Sequence, residues 1–544
     1  MSRGLDSTCR VLATSRNRAS VRTLIAGLRS SDSQVRTAVI RAAIRRRDKT
    51  THAELIRHYP DLDDADRATL CDAHRVVPHH AGPALRAALL EGDATLAINA
   101  CDWIVSAGDF EMFRTLIAAA ENRRHRHSAD VLGAISGLVD RLFQDLALWS
   151  SGDRSGEHDP SFVRHQVLNA LEQSLQHYAQ HQQAEILNAF LLLAPANNPA
   201  FLRILREKQH ACHSAIITAL VTSQDSGVIE RLVDLLRDTD APVAALEAIA
   251  QRSDPQFVNI LLHELKHPVP IRVLHNMKRL SHVAWLETHR QFLLELDGRA
   301  QAVAIDLATA SSIKRQSLFE LIACVLRNGL AEGRRASCQA LANFEDAKAN
   351  GLIAAALDDP DSSVQAAAVR QLRTRSLPEA LKRLVKFLDS PAVEVREAAR
   401  SSLAEFNFVR YRAMFDLLDD EAARTTGILV HKVDQSATQK LAEELSSPSI
   451  TTRLRGIEMA VAMAATDDVQ PQLIELAQHE NLTVRQEAIA ALAHSTRPES
   501  RGVLETASHD PNGSVADAAR QSLARRTAHR AGGHGTTSTS ERPS

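Results

Sequence analysis

Apolar positions recur at helical spacing in two copies of one pattern between residues 352 and 403. In the first copy, Leu357-Asp358-Asp359-Pro360 is followed by Val364, an alanine pair and Leu372. In the second, Leu388-Asp389-Ser390-Pro391 is followed by Val395, an alanine pair and Leu403, with every matched position 31 residues further on. Proline interrupts a helix, and the Asp or Ser residues beside it can cap the next one. Each copy therefore predicts a helix, a short turn and a second helix.

The same pattern occurs elsewhere in the chain. Val484-Arg485 leads to an alanine and Leu492, Asp510-Pro511 leads to Val515 and Leu523, and Val35-Arg36 repeats the theme near the start. Neither helix of such a pair can bury its apolar stripe alone, so neighbouring copies must stack to form a continuous core. We therefore predict an all-α fold, an α-solenoid of stacked antiparallel helix pairs.

This pattern, with Leu, Asp and Pro at the turn followed by Val-Arg-x-x-Ala-x-x-x-Leu, resembles the HEAT repeat. The similarity is to its short bacterial form, also called HEAT-like or phycobilisome-lyase-type. The match is specific over residues 345–526 and near 18–46, and it is looser across 80–340. The resemblance implies a superhelix in which the second helices line the concave side, and it implies protein–protein binding as the function.

Breaks in the repeat pattern divide the chain into five segments. Two glycines and a proline interrupt the helical pattern after residue 150, and almost no apolar residue follows residue 526. A segment this polar cannot bury enough surface to offset the entropy lost on ordering. We expect N-terminal HEAT-like repeats with a basic end (1–150), a loop insertion (151–161), irregular helical repeats (162–330), regular HEAT repeats (331–526) and a disordered tail (527–544).

Composition limits the possible metal and cofactor sites and the possible cellular location. The formal net charge is −2, and the six cysteines form no CxxC pair, so we predict free thiols and neither a metal site nor a cofactor. No run approaches the roughly 20 apolar residues that a membrane helix needs, and no apolar segment follows the first arginines as in a secretion signal. We expect a monomeric, cytoplasmic protein that does not insert into membranes.

The sequence does not predict an enzyme. It contains no GxGxxG, GxxxxGK[ST], GxSxG or HExxH motif. Two groups with this fold do chemistry, namely bilin lyases and alkyl-base DNA glycosylases. The glycosylase pattern needs a basic groove lined with tryptophans, whereas Trp103, Trp149 and Trp285 are widely spread here. The Asp and Arg residues that recur in each repeat (Asp358, Asp389, Arg396, Arg424, Arg453 and Arg485) are interpreted as structural.

The first fifty residues are strongly basic, with twelve Lys or Arg against three Asp. Arg41 and Arg45 lie four positions apart on one predicted helix face, and Arg46 and Arg47 extend the patch. One interpretation is a binding patch for a polyanion: nucleic acid, an acidic protein tail or a lipid surface. The other is the solvated end of a repeat array. No aromatic residue is interleaved for base stacking.

The main functional hypothesis is a non-enzymatic scaffold or adaptor that binds a partner protein in the groove of the solenoid. Candidate partner-facing residues are polar positions on second helices: Gln365, Arg370, Glu394 and Glu397. The alternative is a nucleic-acid or other polyanion binder that works through residues 1–50. The two differ in their response to salt, because phosphate binding weakens steeply as ionic strength rises.

Overall fold

The computed structural model of the protein describes residues 3–122, 127–150, 159–288, 290–375 and 377–532. These residues form α-helices and short 3-10 turns, with no β-strand among them. The predicted all-α solenoid of stacked helix pairs is therefore confirmed. The chain divides into two compact units, Met1–Leu321 (unit 1) and Ile322–Ser544 (unit 2).

The helices that lie within unit 1 range from 4 to 23 residues in length. They are α1 (Arg3–Thr14), α2 (Arg18–Gly27), α3 (Ser33–Arg45), α4 (Lys49–Arg57), α5 (Asp64–Val76), α6 (Pro78–Glu91), α7 (Ala94–Ala107), α8 (Phe113–Glu121), α9 (Ser128–Ser150), α10 (Pro160–Gln176), α11 (Tyr178–His181), α12 (Ala184–Leu193), α13 (Pro199–Arg206), α14 (His213–Thr222), α15 (Ser226–Leu236), α16 (Val243–Gln251), α17 (Pro255–Glu264), α18 (Ile271–Met277), α19 (Ala284–Thr288), α20 (Arg290–Glu295) and α21 (Gly298–Ala310).

The division between the units falls within α22 (Arg315–Asn328). The remaining helices belong to unit 2. They are α23 (Ala331–Ala340), α24 (Ala347–Ala356), α25 (Ser362–Val369), α26 (Ala380–Phe387), α27 (Val393–Ser402), α28 (Phe408–Met414), α29 (Asp420–Val433), α30 (Ala437–Leu445), α31 (Ile450–Ala462), α32 (Gln470–Leu476), α33 (Leu482–Leu492), α34 (Pro498–Ala507) and α35 (Gly513–Gly532).

Alternate helices pack together, which gives unit 1 two layers at its start. One layer contains α1, α3, α5, α7 and α9, each in contact with the next. The other contains α2, α4, α6, α8 and α10 in the same manner. The core lies between the layers, where each helix buries the apolar stripe that it cannot bury alone.

The consensus residues of unit 2 perform the tasks that their chemistry predicts. Asp361 caps α25 by accepting hydrogen bonds from the backbone N–H groups of Ser363 and Val364, and Asn481 caps α33 through that of Val484. The consensus residues Val364, Val395 and Val484 are completely buried. The second helices α25 and α27 pack directly on one another, as do α31 and α33. The repeat is therefore built as the hydrophobic pattern indicates.

Helices extend beyond two boundaries that were read from the sequence. Helix α10 begins at Pro160, within the predicted loop of 151–161, and residues 151–158 lie outside the described part of the chain. Helix α35 continues to Gly532, although the tail was expected to begin at 527, and 533–544 also lie outside it. Residues 524–531 include three alanines and three arginines, which favour a helix without needing burial.

Two further observations concern the setting of the chain. Among the described residues no helix is both long enough and apolar enough to cross a membrane. All six cysteines are free, five of them buried and Cys324 half-buried. Burial raises the pKa of the Cys101 and Cys338 thiols to about 12, which keeps them protonated and unreactive.

Candidate interaction surface

An arginine-lined groove lies near the start of unit 1. It has a volume of about 1200 Å³, and its walls come from the end of α1, one face of α2 and the turn between α3 and α4. Seven arginines line it: Arg16, Arg18, Arg22, Arg29, Arg45, Arg46 and Arg47. We call this cavity the arginine groove.

The helical spacing of α2 explains why its arginines share the groove. Positions 18, 22, 25 and 29 are three or four residues apart and therefore lie on one side of a helix or of its continuation. Arg18, Arg22 and Arg29 supply charge there, and Ile25 lies between them. The opposite side carries Leu24, which is completely buried in the core.

Five of these arginines direct no hydrogen bond or ion pair to any other described residue. Arg16, Arg18, Arg22, Arg29 and Arg45 are all exposed. Arg47 differs, because its Nε lies 3.3 Å from Nε2 of His80. Among the described residues that line the groove, Asp48 and Glu54 are the acidic ones. Asp48 caps α4, and Glu54 pairs with Arg57, so both carboxylates already have local partners.

Arg46 corrects the sequence interpretation of the basic patch. It was expected to be an exposed charge, but its side chain is only 5% exposed. Its Nε donates to Oγ1 of Thr51 at 3.1 Å, and its Nη1 donates to the carbonyl oxygen of Leu12. The guanidinium thus joins α1 to the turn after α3, and Asp48 lies 3.8 Å away. Arg46 holds the groove together and cannot serve as a free surface charge.

Of the other three predicted patch residues, two line the groove and one does not. Arg45 and Arg47 line the groove, whereas Arg41 is exposed on α3 and does not line it. The predicted set omitted Arg16, Arg18, Arg22 and Arg29, although they belong to the same basic segment. The spacing of three and four residues along α2 is the signal that could have found three of them.

The predicted partner-facing residues of unit 2 are mostly engaged within the chain. Gln365 is half-buried and donates through Nε2 to the carbonyl oxygen of Leu357 at 2.7 Å. Glu394 accepts a hydrogen bond from Oγ of Ser362 at 2.9 Å. These contacts occupy two of the four side chains.

The remaining two candidates lie on the surface. Glu397 is exposed and pairs with Arg400 at 2.6 Å. Arg370 is exposed at the end of α25. These four residues occupy the neighbouring helices α25 and α27, but they do not converge on a shared cavity of the kind that the arginines form.

Two of the recurring arginines make structural contacts within their own turns. Arg396 donates to the carbonyl oxygens of Ser390 and Pro391 in its own turn, at 2.7 and 2.8 Å. Arg485 does the same with His479 and Glu480, at 2.6 and 2.9 Å. Such bonds satisfy carbonyl groups at the end of the first helix, which lack a helical partner. These contacts give Arg396 and Arg485 a role in folding.

No group of three or more His, Cys, Asp or Glu side chains in the described segments could hold a metal ion. In the short stretch that contains His210, Cys212 and His213, two side chains form hydrogen bonds with backbone carbonyl groups. Sγ of Cys212 donates to the carbonyl oxygen of Leu175 at 3.1 Å. Nδ1 of His213 lies 2.7 Å from the carbonyl oxygen of Ile204.

The resemblance noted in the sequence is confirmed for the regular part of the chain. A family model described as HEAT repeats matches residues 320–404 and 438–524. These two regions are HEAT repeats, and both coincide with the helix pairs of unit 2. No curated protein matches the sequence.

Solved structures give remote likenesses that cover most of this chain. One belongs to a homology model of the full-length AP-3 complex in an intermediate open conformation. It is 12% identical, covers 98% of this chain and 96% of that chain, and has a TM-score of 0.38. Another comes from work on a phosphorylation switch between cadherin and β-catenin, with 13% identity, coverage of 93% and 99%, and a TM-score of 0.30. The crystal structure of Kap121p is 12% identical, with coverage of 96% and 57% and a TM-score of 0.25. These values are too low to transfer a partner.

Proposed function

We propose that this protein is a non-enzymatic scaffold or adaptor that binds partner proteins through the exposed edges of its helical repeats. The observation that carries the proposal is a row of exposed aliphatic residues in unit 2. Helices α27, α31 and α33 begin with Val393, Ile450 and Leu482, which are 60%, 42% and 38% exposed. Val393 and Leu482 each lie two positions before a completely buried valine, Val395 and Val484, and Ile450 lies two positions before the half-buried Thr452.

These residues indicate a binding surface because they recur at the same position of different repeats. Single exposed aliphatic side chains are ordinary on protein surfaces. Here they recur at equivalent places in stacked repeats, so they lie on the same side of the array. Exposed apolar side chains at recurring positions, separated by polar ones, suit an extended contact with another protein. Arg370 and Glu397 remain candidate polar contacts on the same set of helices.

The finer features of the proposal follow from the same chain. We propose that the protein is cytoplasmic, because six free cysteines suit a reducing compartment. We also propose that it is a monomer that recruits other proteins, which analytical ultracentrifugation would test directly. The turn contacts of Arg396 and Arg485 support a structural role for these two recurring arginines.

The proposal is tested by replacing Val393, Ile450 and Leu482 together with serine. All three side chains point into solvent, so the stability should change by less than about 0.5 kcal/mol for each residue. Chemical crosslinking in the native host, read by mass spectrometry, should join wild-type unit 2 to partner peptides near these residues. The triple variant should lose those crosslinks.

A matched control uses the same register. Glu421 is exposed, lies two positions before the buried Ala423 of α29, and is not aliphatic. Glu421→Gln should keep the crosslinks. Recovery of no crosslinked protein at all, or equal crosslinking by the triple variant, would contradict binding through this row.

A further inference from the structure

We infer that the arginine groove is the docking site for an acidic segment of a partner protein, one that carries aliphatic side chains beside its carboxylates. The inference rests on the proposed function, because it assumes that this chain binds proteins. It adds a second site, in unit 1, and it specifies the chemistry of the ligand.

The unpaired charge of the groove is the first argument. Two other arginines of unit 1 reach carbonyl groups of neighbouring repeats: Arg75 donates to the carbonyl oxygen of Ala107 at 3.0 Å, and Arg164 donates to that of Leu193 at 2.9 Å. The five free arginines of the groove have no such role. Like charges gathered around one concave surface repel each other, and an anionic ligand would relieve that repulsion. Guanidinium groups also bind carboxylates through paired hydrogen bonds.

The uncharged part of the groove selects the type of anion. Ala13, Val21, Ile25 and Ala26 line the groove together with the arginines. Aliphatic side chains of a peptide could pack on these residues. A sugar-phosphate backbone has no aliphatic side chains to bury there. None of the described residues that line the groove is aromatic, so they offer bases no surface on which to stack. Asp48 and Glu54 interrupt the positive charge of the groove, which suits a ligand with separated negative charges better than a continuous row of phosphates. A protein segment with mixed acidic and apolar residues fits all of these features.

The buried Arg46 gives the groove a fixed shape before any ligand arrives. Its hydrogen bonds to Leu12 and Thr51 connect two of the three groove walls. A preformed site binds more tightly, because less conformational freedom is lost on association. We therefore assign the interior arginine a positioning role and the exterior ones the contact role.

The inference can be tested on the full chain with defined probes. The first probe is a fluorescein-labelled peptide of about 14 residues with glutamates and leucines at helical spacing, which spans about four turns. The second has lysine in place of each glutamate, and the third is a single-stranded oligonucleotide of similar charge to the first. Fluorescence anisotropy should show binding of the acidic peptide, weaker binding at higher salt, and little binding of the other two.

Two variants locate the site. Arg22→Glu combined with Arg45→Glu should weaken binding of the acidic peptide by about tenfold or more, because both side chains line the groove. Arg41→Glu changes an exposed arginine on the same helix as Arg45 but outside the groove, so it should change affinity by less than about twofold. If circular dichroism shows that the double charge reversal fails to fold, Arg22→Gln with Arg45→Gln replaces it.

Three outcomes would overturn the inference. Equal weakening by Arg41→Glu would mean diffuse attraction to the basic end. Equal binding of the lysine peptide would mean that charge does not select the ligand. Tighter binding of the oligonucleotide, lost in the groove variant, would make the groove a nucleic-acid site. None of these results affects the crosslinks along the aliphatic row of unit 2, so failure of the groove and failure of the proposed scaffold function can be distinguished.

Discussion

His52 is a buried ionisable side chain held between α3 and α4. Its side chain is completely buried, and its Nε2 lies 3.3 Å from the carbonyl oxygen of Ile44. Its Nδ1 has no hydrogen-bond partner in the described part of the chain. Burial, opposed only in part by the Ile44 carbonyl, lowers the pKa of His52 to about 4. The folded protein therefore keeps this ring neutral at pH values where a free histidine would be charged.

We expect this histidine to make unit 1 less stable in mild acid. An unfolded histidine has a pKa of about 6.5, so below that pH the unfolded chain binds a proton that the folded chain excludes. Stability should therefore fall as the pH decreases from about 6.5 towards 4. The contribution lost between pH 7.5 and pH 5 is about 2 kcal/mol.

Urea unfolding at the two pH values measures this loss. His52→Gln provides the control, because glutamine can still donate a hydrogen bond but does not titrate. The variant should lose about 2 kcal/mol less than the wild type over the same pH range. Equal losses in the two proteins would mean that other groups govern the response to acid.

At the scale of elements, one arginine contact joins successive repeats. Arg252 donates to the carbonyl oxygen of Leu220 at 2.9 Å, and Arg526 donates to that of Leu492 at 3.0 Å. Arg46 and Arg375 make the same kind of bond to Leu12 and Leu341. In each case the acceptor lies between 32 and 34 residues earlier, in the preceding repeat. These bonds occupy carbonyl groups that a helix end would otherwise leave without a partner.

Arg375 offers the clearest test of this contact. It also donates to the carbonyl oxygen of Phe344 at 2.7 Å and to Oδ1 of Asn350 at 2.9 Å. Arg375→Ala removes every one of these bonds and leaves partly buried acceptors unpaired. We expect unit 2 to be destabilised by about 3 kcal/mol.

The nearby Arg370 provides a matched control for that experiment. It is exposed, so Arg370→Ala should change the free energy of unfolding by less than about 0.5 kcal/mol. Denaturant unfolding of both variants measures the difference. A similar effect of the two substitutions would show that the repeat contact contributes little.

At the scale of the whole molecule, stability is distributed along the chain. The continuous core of the last repeats extends from Phe408 to Ala519 and includes Leu441, Leu473 and Val484, all completely buried. In a repeat array each helix pair contacts mainly its neighbours. A local defect therefore destabilises the adjacent repeats most. Unit 1 has its own internal contacts and its own core.

We expect Leu473→Ala to show this local character. The substitution creates a cavity in the core of unit 2 and should destabilise it by about 2–5 kcal/mol. Hydrogen exchange should show lost protection in α30 to α35 and nearly unchanged protection in α1 to α10. Lost protection throughout both units would contradict the division of the chain into two compact units.

The sequence alone was sufficient to predict the architecture. A period of 31 residues, a proline or capping residue at each turn, and apolar positions at helical spacing define the helix pair and require its stacking. These are local signals, since each depends on backbone geometry and on the need to bury one face of a helix. They predicted the HEAT repeats of unit 2 and the buried positions Val364, Val395 and Val484 correctly.

The direction of individual side chains was decided only by the tertiary structure. Arg45, Arg46 and Arg47 are adjacent and chemically identical in the sequence, yet Arg46 turns inward to a carbonyl group 34 residues earlier while Arg45 faces the groove. The groove itself needs residues from α1, α2 and the turn after α3, which no local pattern brings together. Long-range packing fixes which charges find an internal partner. It therefore decides which arginines remain available for a ligand.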